Sequence, residues 1–273
     1  MVIIYLALAL FFVMAKWRAL AVMNTALALL FLVLTPTKSA LSGSTCSDSV
    51  TVIQYNLAFE NTNLEQFVEY IETTRPDLVV MQEVSPQHGQ FFDRLFKLFP
   101  YRYGGQAKIG YPSNQLILSR QTLYGMSVYR TPDGQNIISG VWQPRQGIDV
   151  GILAAHPPSP RNKTLWYRRD ALIRTVEHLA ASSATPRNMV IGDFNLSASN
   201  HAYKARFSEY TSMPVASWKG VRSEIELPAM AMASIDHLWV KSDTAEQITL
   251  CSREALLEIF GSDHVPIKTT ISF

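Results

Sequence analysis

Beyond residue 45 the apolar residues fall into short runs with two alternating spacings. Ser49–Leu57 (SVTVIQYNL) is a near-continuous apolar run ending at Asn56, the pattern of a buried strand. In Asn63–Asp77 the residues Leu64, Phe67, Val68 and Ile71 recur at helical spacing, so the pattern predicts an amphipathic helix. Leu78–Val84 predicts a strand, Pro86–Pro100 a helix and Gln115–Arg120 a strand. Three further strands are predicted over Leu123–Arg130, Asn136–Gln143 and Ile148–His156, then a long helix over Lys163–Ala184. Met189–Ile191 predicts a short core strand, and after a polar stretch Ile235–Val240, Glu246–Cys251 and Val265–Phe273 predict the last three. Strands in succession at mid-chain, between strand–helix–strand units at both ends, predict two packed sheets with helices outside: an α/β sandwich.

Residues 1–34 follow neither spacing. Two apolar runs, 1–15 and 19–34, flank Lys16-Trp17-Arg18, and each is a little shorter than the roughly 20 residues of a usual spanning helix. A tight transmembrane hairpin with its charges in the cytoplasm is one reading, and a signal peptide cut near Ala40–Ser42 is the other. Both place the rest of the chain on the extracytoplasmic side, in the periplasm or exterior. The turn-rich residues 35–45 predict a linker, and 46–273 a single domain. In an exported domain the two cysteines, Cys46 and Cys251, fit a disulfide as well as two separate thiols. A net charge of +2 demands neither a nucleic-acid nor a membrane-surface partner.

Polar residues close the apolar strands repeatedly: Asn56, Glu83, His156, then Asp193 and Asn195 in IGDFN. Asp236 and His237 open IDHLWV, and Asp263 and His264 stand in GSDHVPI. Strand ends in layered α/β proteins converge on one rim, where sites are built. A carboxylate beside an amide suits a phosphate ester, because the carboxylate can take a proton from an attacking water while the amide donates to a phosphoryl oxygen without adding charge. His237, next to Asp236 on a strand, should face the opposite way. Arg161, Lys163, Arg168 and Arg169, with Trp166 and Tyr167 between them, read as the solvated start of a helix or as a grip on a phosphate-rich substrate. No G-x-S-x-G elbow and no H-E-x-x-H pair is present, which argues against serine and zinc hydrolysis.

From Val50 to Phe273 the chain resembles the endonuclease/exonuclease/phosphatase superfamily. The motifs are QYNLAFEN, PDLVVMQEV, NQLILSR, AAHPPSP, VIGDFNLSASN, SIDHLWV and GSDHVPI, in that order. The resemblance implies a four-layer α/β sandwich of DNase-I-like type with a divalent-metal phosphoesterase site. It implies Glu83 as the principal ligand of Mg²⁺ (or Mn²⁺), supported by Asn56. It further implies Asp193 on the attacking water, Asn195 on a phosphate oxygen, His264 against the charge growing on phosphorus, and Asp263 as the carboxylate partner of that histidine. Asp236 matches a position associated with the site or a second metal, and His156 matches the sphingomyelinase and tyrosyl-DNA phosphodiesterase branch. The expected substrate is a nucleic acid, a phospholipid headgroup or an inositol phosphate, with a catalytically silent binding module of the same fold as the alternative.

Overall fold

The computed structural model describes residues 2–34, 38–43, 46–105, 114–222, 224–243 and 247–273. Two helices, α1 (Val2–Met14) and α2 (Arg18–Leu34), lead into β1 (Ala40–Ser42) and β2 (Ser49–Asn56). There follow α3 (Glu65–Thr74), β3 (Leu78–Gln82), α4 (Pro86–Phe91), a 3-10 stretch (Phe92–Lys97), β4 (Tyr101–Gly104), β5 (Leu116–Ser119), β6 (Thr122–Arg130), β7 (Asn136–Arg145) and β8 (Ile148–Ala155). The remainder is α5 (Lys163–Ala181), β9 (Arg187–Asp193), α6 (His201–Lys204), β10 (Thr211–Ser212), a 3-10 turn (Ala229–Ala231), β11 (Asp236–Ser242), β12 (Thr249–Ala255) and β13 (Ile267–Ser272).

The strands form one sheet ordered β1-β12-β13-β2-β3-β5-β4 and a second ordered β10-β11-β9-β8-β7-β6. Each sheet holds one parallel pair, β2 with β3 and β8 with β9, joined through α3 and α5. Strand alternation builds the layers. Val50, Val52, Leu78 and Val80 of the first sheet meet Ile152, Met189, Ile191, Leu238 and Val240 of the second in a central core. The odd-phase neighbours Ile53, Tyr55, Val79 and Met81 pack on α3 and the 3-10 stretch through Phe67, Val68, Ile71 and Phe92. On the far side Leu153, Val190 and Trp239 pack on α5 through Leu172, Ile173 and Val176. The two packed mixed sheets with helices outside match the expected sandwich.

Three short strands, β1, β4 and β10, were not expected. β1 lies within the expected linker and pairs antiparallel with β12. The helix expected over Pro86–Pro100 divides into α4 and the 3-10 stretch, and the strand expected over Glu246–Cys251 runs instead from Thr249 to Ala255. The first expected strand residue, Glu246, lies outside the described residues. Cys46 and Cys251 form a disulfide, with Cα atoms 5.8 Å apart. At the N-terminus α1 has 13 residues and α2 has 17, and among the described residues no helix is long and apolar enough to cross a membrane.

Candidate active site

Topology gathers the polar strand ends. The carboxyl ends of both parallel pairs open on the same rim, bringing Asn56 and the Glu83 turn from the first sheet to His156 and Asp193 from the second. β11 runs antiparallel to β9 with Asp236 opposite Asp193, so its first residue reaches the same rim. β13 runs antiparallel to β2, and His264 just before it arrives there too. Asn56, Asp193, Asp236 and His156 all occupy the phase that faces between the sheets, so the site continues the central core outward. Glu83 has the opposite phase. Its left-handed backbone, φ 52°, turns the chain so that the carboxylate enters the cleft, and Asn195 has φ 49° in the turn after β9. Such conformations cost a non-glycine residue about 1–3 kcal/mol, and here both fall on residues of the cleft.

The cleft has a volume of about 500 Å³ and is lined by Glu83, His156, Asp193, Asn195, Asp263 and His264, with Arg161 and Trp218 on its walls. At its centre Asp193 Oδ2 accepts from Asn56 Nδ2 at 3.0 Å and lies 3.5 Å from His156 Nε2 and 3.6 Å from His264 Nε2. Asp193 Oδ1 accepts the Asn195 N–H at 2.8 Å. Burial opposes ionisation of Asp193, but the two histidines and that N–H outweigh it and hold the carboxyl well below the usual range. Burial likewise disfavours charge on His264, yet Asp236 and Asp193 overcome it and push the imidazole up to about 10. His156 is raised as well, its burial outweighed by Asp193 and Glu83.

The carboxylate partner of His264 is Asp236, whose Oδ2 lies 2.7 Å from Nδ1 and also accepts from Ser217 Oγ at 2.6 Å. The expected partner, Asp263, accepts instead from Trp218 Nε1 at 3.1 Å. Asp263 lies in the bend just before His264, and both side chains line the cleft, but the His264 Nδ1 turns to Asp236 and not to its neighbour. His237 indeed points away, its Nε2 2.7 Å from the Leu196 carbonyl and its ring against Phe194, Tyr203 and Trp239. Asn195 places Nδ2 on the Pro157 carbonyl at 3.0 Å and 3.4 Å from Asp193, so at the rim it is held by protein groups. Of the basic cluster, Arg161 lines the cleft, Arg168 pairs with Asp133, and buried Arg169 pairs with Asp170 and holds the Asn195 carbonyl. Ser217 was not singled out in the sequence, where no motif marks it.

Two groups of residues bear on a metal. Asp193, Asp236 and His264 offer ligand-type atoms within 4.8 Å of one another. In that trio the Asp236 Oδ2 is taken by two short hydrogen bonds, one of them with His264 Nδ1, which leaves Asp193 and the buried, unpartnered Oδ1 of Asp236 as its open carboxylate donors. Glu83 fits better. Its side chain is 26 % exposed, and its oxygens receive only long bonds, 3.2 Å from Asn56 Nδ2 and 3.3 Å from the Phe59 N–H. A carboxylate open to a polar cleft is the hard-oxygen donor that Mg²⁺ takes together with water and substrate phosphate. Asn56 supports that carboxylate: its Nδ2 spans Glu83 and Asp193, and its Oδ1 accepts the Ala58 N–H at 3.0 Å.

The paired sheets and the carboxylate–histidine cleft at one end together define a DNase-I-like sandwich. The endonuclease/exonuclease/phosphatase family model matches residues 53–264, and the chain belongs to that family. D. rerio TDP2 complexed with single strand DNA product superposes with TM-score 0.69 at 16 % identity, over 83 % of this chain and 100 % of that one. An endonuclease/exonuclease/phosphatase from Beutenbergia cavernae gives 0.65 at 15 %, over 82 % and 72 %. Sphingomyelinase C from Streptomyces griseocarneus gives 0.61 at 13 %, over 82 % and 99 %. At these identities the likeness is one of fold. No curated protein matches the sequence.

Proposed function

We propose that the protein is a divalent-metal-dependent phosphoesterase that hydrolyses a phosphate ester by an activated water, attached to a membrane through residues 1–34 with its domain on the extracytoplasmic side. The observation that carries the chemistry is Asp193, an ionised carboxylate at the floor of the cleft between two histidines, beside the open carboxylate of Glu83. Glu83, steadied by Asn56, would hold Mg²⁺ or Mn²⁺, which when bound supplies positive charge against the phosphoryl oxygens.

Held below the usual carboxylate range, Asp193 is a weak base, so its first task is to orient the water and its second to accept the proton. His264, kept protonated by Asp236, faces the charge that develops on the phosphoryl group, and His156 donates from the opposite side. Asn195 fixes the turn that aims the Asp193 carboxylate, through its N–H. Attachment is supported by the apolar side chains that α1 and α2 leave exposed, among them Phe11, Val13, Met14, Val22 and Leu29. The Lys38 carbonyl accepts the Ala216 N–H at 2.7 Å, two positions before Trp218 on the wall of the cleft.

The test is turnover of bis-p-nitrophenyl phosphate, plasmid DNA, single-stranded DNA, sphingomyelin and an inositol polyphosphate by the full chain, with and without EDTA. Metal-dependent hydrolysis that falls about 10²-fold or more in Asp193→Ala and in His264→Ala is expected. Unchanged rates in either folded variant would refute the roles. No turnover of any substrate by folded, metal-binding protein would favour the silent-module reading.

A further inference from the structure

Arg253 is fully buried, yet among the described residues it forms no ion pair. Its guanidinium is spent on neutral acceptors from both sheets. Nη2 donates to Gln54 Oε1 on β2 at 2.9 Å and to the Asp236 carbonyl on β11 at 3.0 Å. Nη1 donates to the Met213 carbonyl just after β10 at 3.1 Å, and Nε to Thr269 Oγ1 on β13 at 3.3 Å. A guanidinium taken out of water with no carboxylate oxygen in contact is expensive to bury, even with Asp236 near enough to attract it. Stability alone gives a weak reason for an arginine here.

Two features direct it to Asp236. β10 pairs with Trp239 and Val240, so among the described residues the cleft end of β11 has no ladder partner on that edge, and Arg253 reaches across from the other sheet to hold its first carbonyl. Arg253 faces inward only because β12 carries a bulge. The register passes from Leu250 opposite Ile271 to Ser252 opposite Thr270, which leaves Cys251 as the extra residue. Strict alternation from inward-facing Leu250 would put Ser252 inward and Arg253 outward. The bulged residue is itself fixed twice, by the disulfide to Cys46 and by the Gly43 N–H on its carbonyl at 2.7 Å.

We infer that Arg253 is a positioning residue for the hydrolytic site: it fixes the backbone of Asp236 and thereby the orientation of the His264 ring that Asp236 holds. The inference rests on the reading of the cleft as a phosphoesterase site. Arg253→Met keeps the length of the side chain and removes the fork. The expected result is a fall in kcat of about 10- to 100-fold on bis-p-nitrophenyl phosphate with KM unchanged, the loss that a misplacement of the order of 1 Å produces, in protein that stays folded at the assay temperature although its thermal midpoint falls as the four buried acceptors lose their donor. Arg253→Lys, which keeps charge without the fork, should lose kcat as well. In an Asp236→Asn background Arg253→Met should cost nothing further, because it acts through Asp236.

Wild-type kcat in Arg253→Met, full rescue by lysine, additive losses in the double variant, or a loss of kcat matched by loss of folded protein would each overturn the inference. The ring ¹⁵N signals of His264 give a readout independent of turnover. They should shift or broaden in Arg253→Met and in Arg253→Lys, and unchanged signals would overturn the positioning role. If the wild type turns over no phosphoester, the functional reading fails by itself, and the ring signals still decide whether Arg253 sets the His264 geometry.

Discussion

Removing the Cys46–Cys251 disulfide gives a stability change whose size follows from the topology. The bond closes a loop of 205 residues, three-quarters of the chain. In the chain-entropy account, cross-linking the unfolded state over that length contributes about 5 kcal/mol at 25 °C, and measured losses for native disulfides run from about 2 to 5. Backbone contacts independent of the bond hold the same segment: β1 pairs with β12 at Ala40, Leu41 and Ser42, and the Gly43 N–H donates to the Cys251 carbonyl, so the folded geometry should change little on its loss. The effect therefore resides in the unfolded state. Guanidinium unfolding of the wild type, with and without a phosphine reductant, and of Cys46→Ser/Cys251→Ser should show a loss of at least about 2 kcal/mol, with a steeper denaturant slope as the unfolded chain expands. Equal midpoints in the oxidised and double-serine proteins would refute the reasoning, and a loss accompanied by altered native spectra would move the effect to the folded state.

His237 is buried and neutral, its pKa lowered to about 3 by burial against an ordinary value of 6.5. Because the folded value is depressed, its stabilisation is complete above pH 6.5 and declines as acid protonates the unfolded chain; between pH 7 and pH 5 the loss is about 2 kcal/mol, seen as that much extra pH dependence in wild type over His237→Gln in urea unfolding. Gly192 leaves no room for a side chain, since a Cβ would lie 1.8 Å from the Ala155 carbonyl oxygen. Gly192→Ala should therefore separate β8 from β9 and lower the thermal midpoint by about 10 °C, and a wild-type midpoint would show that the strands can shift freely. Glu83→Gln should weaken Mn²⁺ binding about 10-fold or more, measured by calorimetry on protein of unchanged circular dichroism, whereas equal affinity would remove Glu83 from the metal site.

The layers were legible because strand and helix spacings are local properties. SVTVIQYN and the stripe Leu64, Phe67, Val68 and Ile71 declare their elements without reference to the rest of the chain. Most cleft residues were legible for a similar reason, as polar ends of apolar strands. What was missed depends on distant pairing. β1 and β10, of three and two residues, are too short to show a period and exist through the strands beside them. The carboxylate that holds His264 is Asp236, 28 positions away, and not the adjacent Asp263 that the family resemblance implies, because a contact over that distance is set by the pairing of strands. β12 continues through Arg253 and Glu254 to Ala255, beyond the apolar run that marks it, and the bulge that buries the arginine leaves no mark in composition.

The shared phase of core and cleft makes stability and activity opposed at the same positions. Gln82, beside Asn56 in register, is already buried with both polar side-chain atoms unpartnered, and Asn56, Asp193 and Asp236 are nearly as enclosed. Each faces the same way as the valines and isoleucines behind it, so an apolar substitution there would add one more layer to the central core. Mutational drift screened for folding alone would thus fill the mouth of the sandwich from the inside. The open cleft is where selection for chemistry holds the core short.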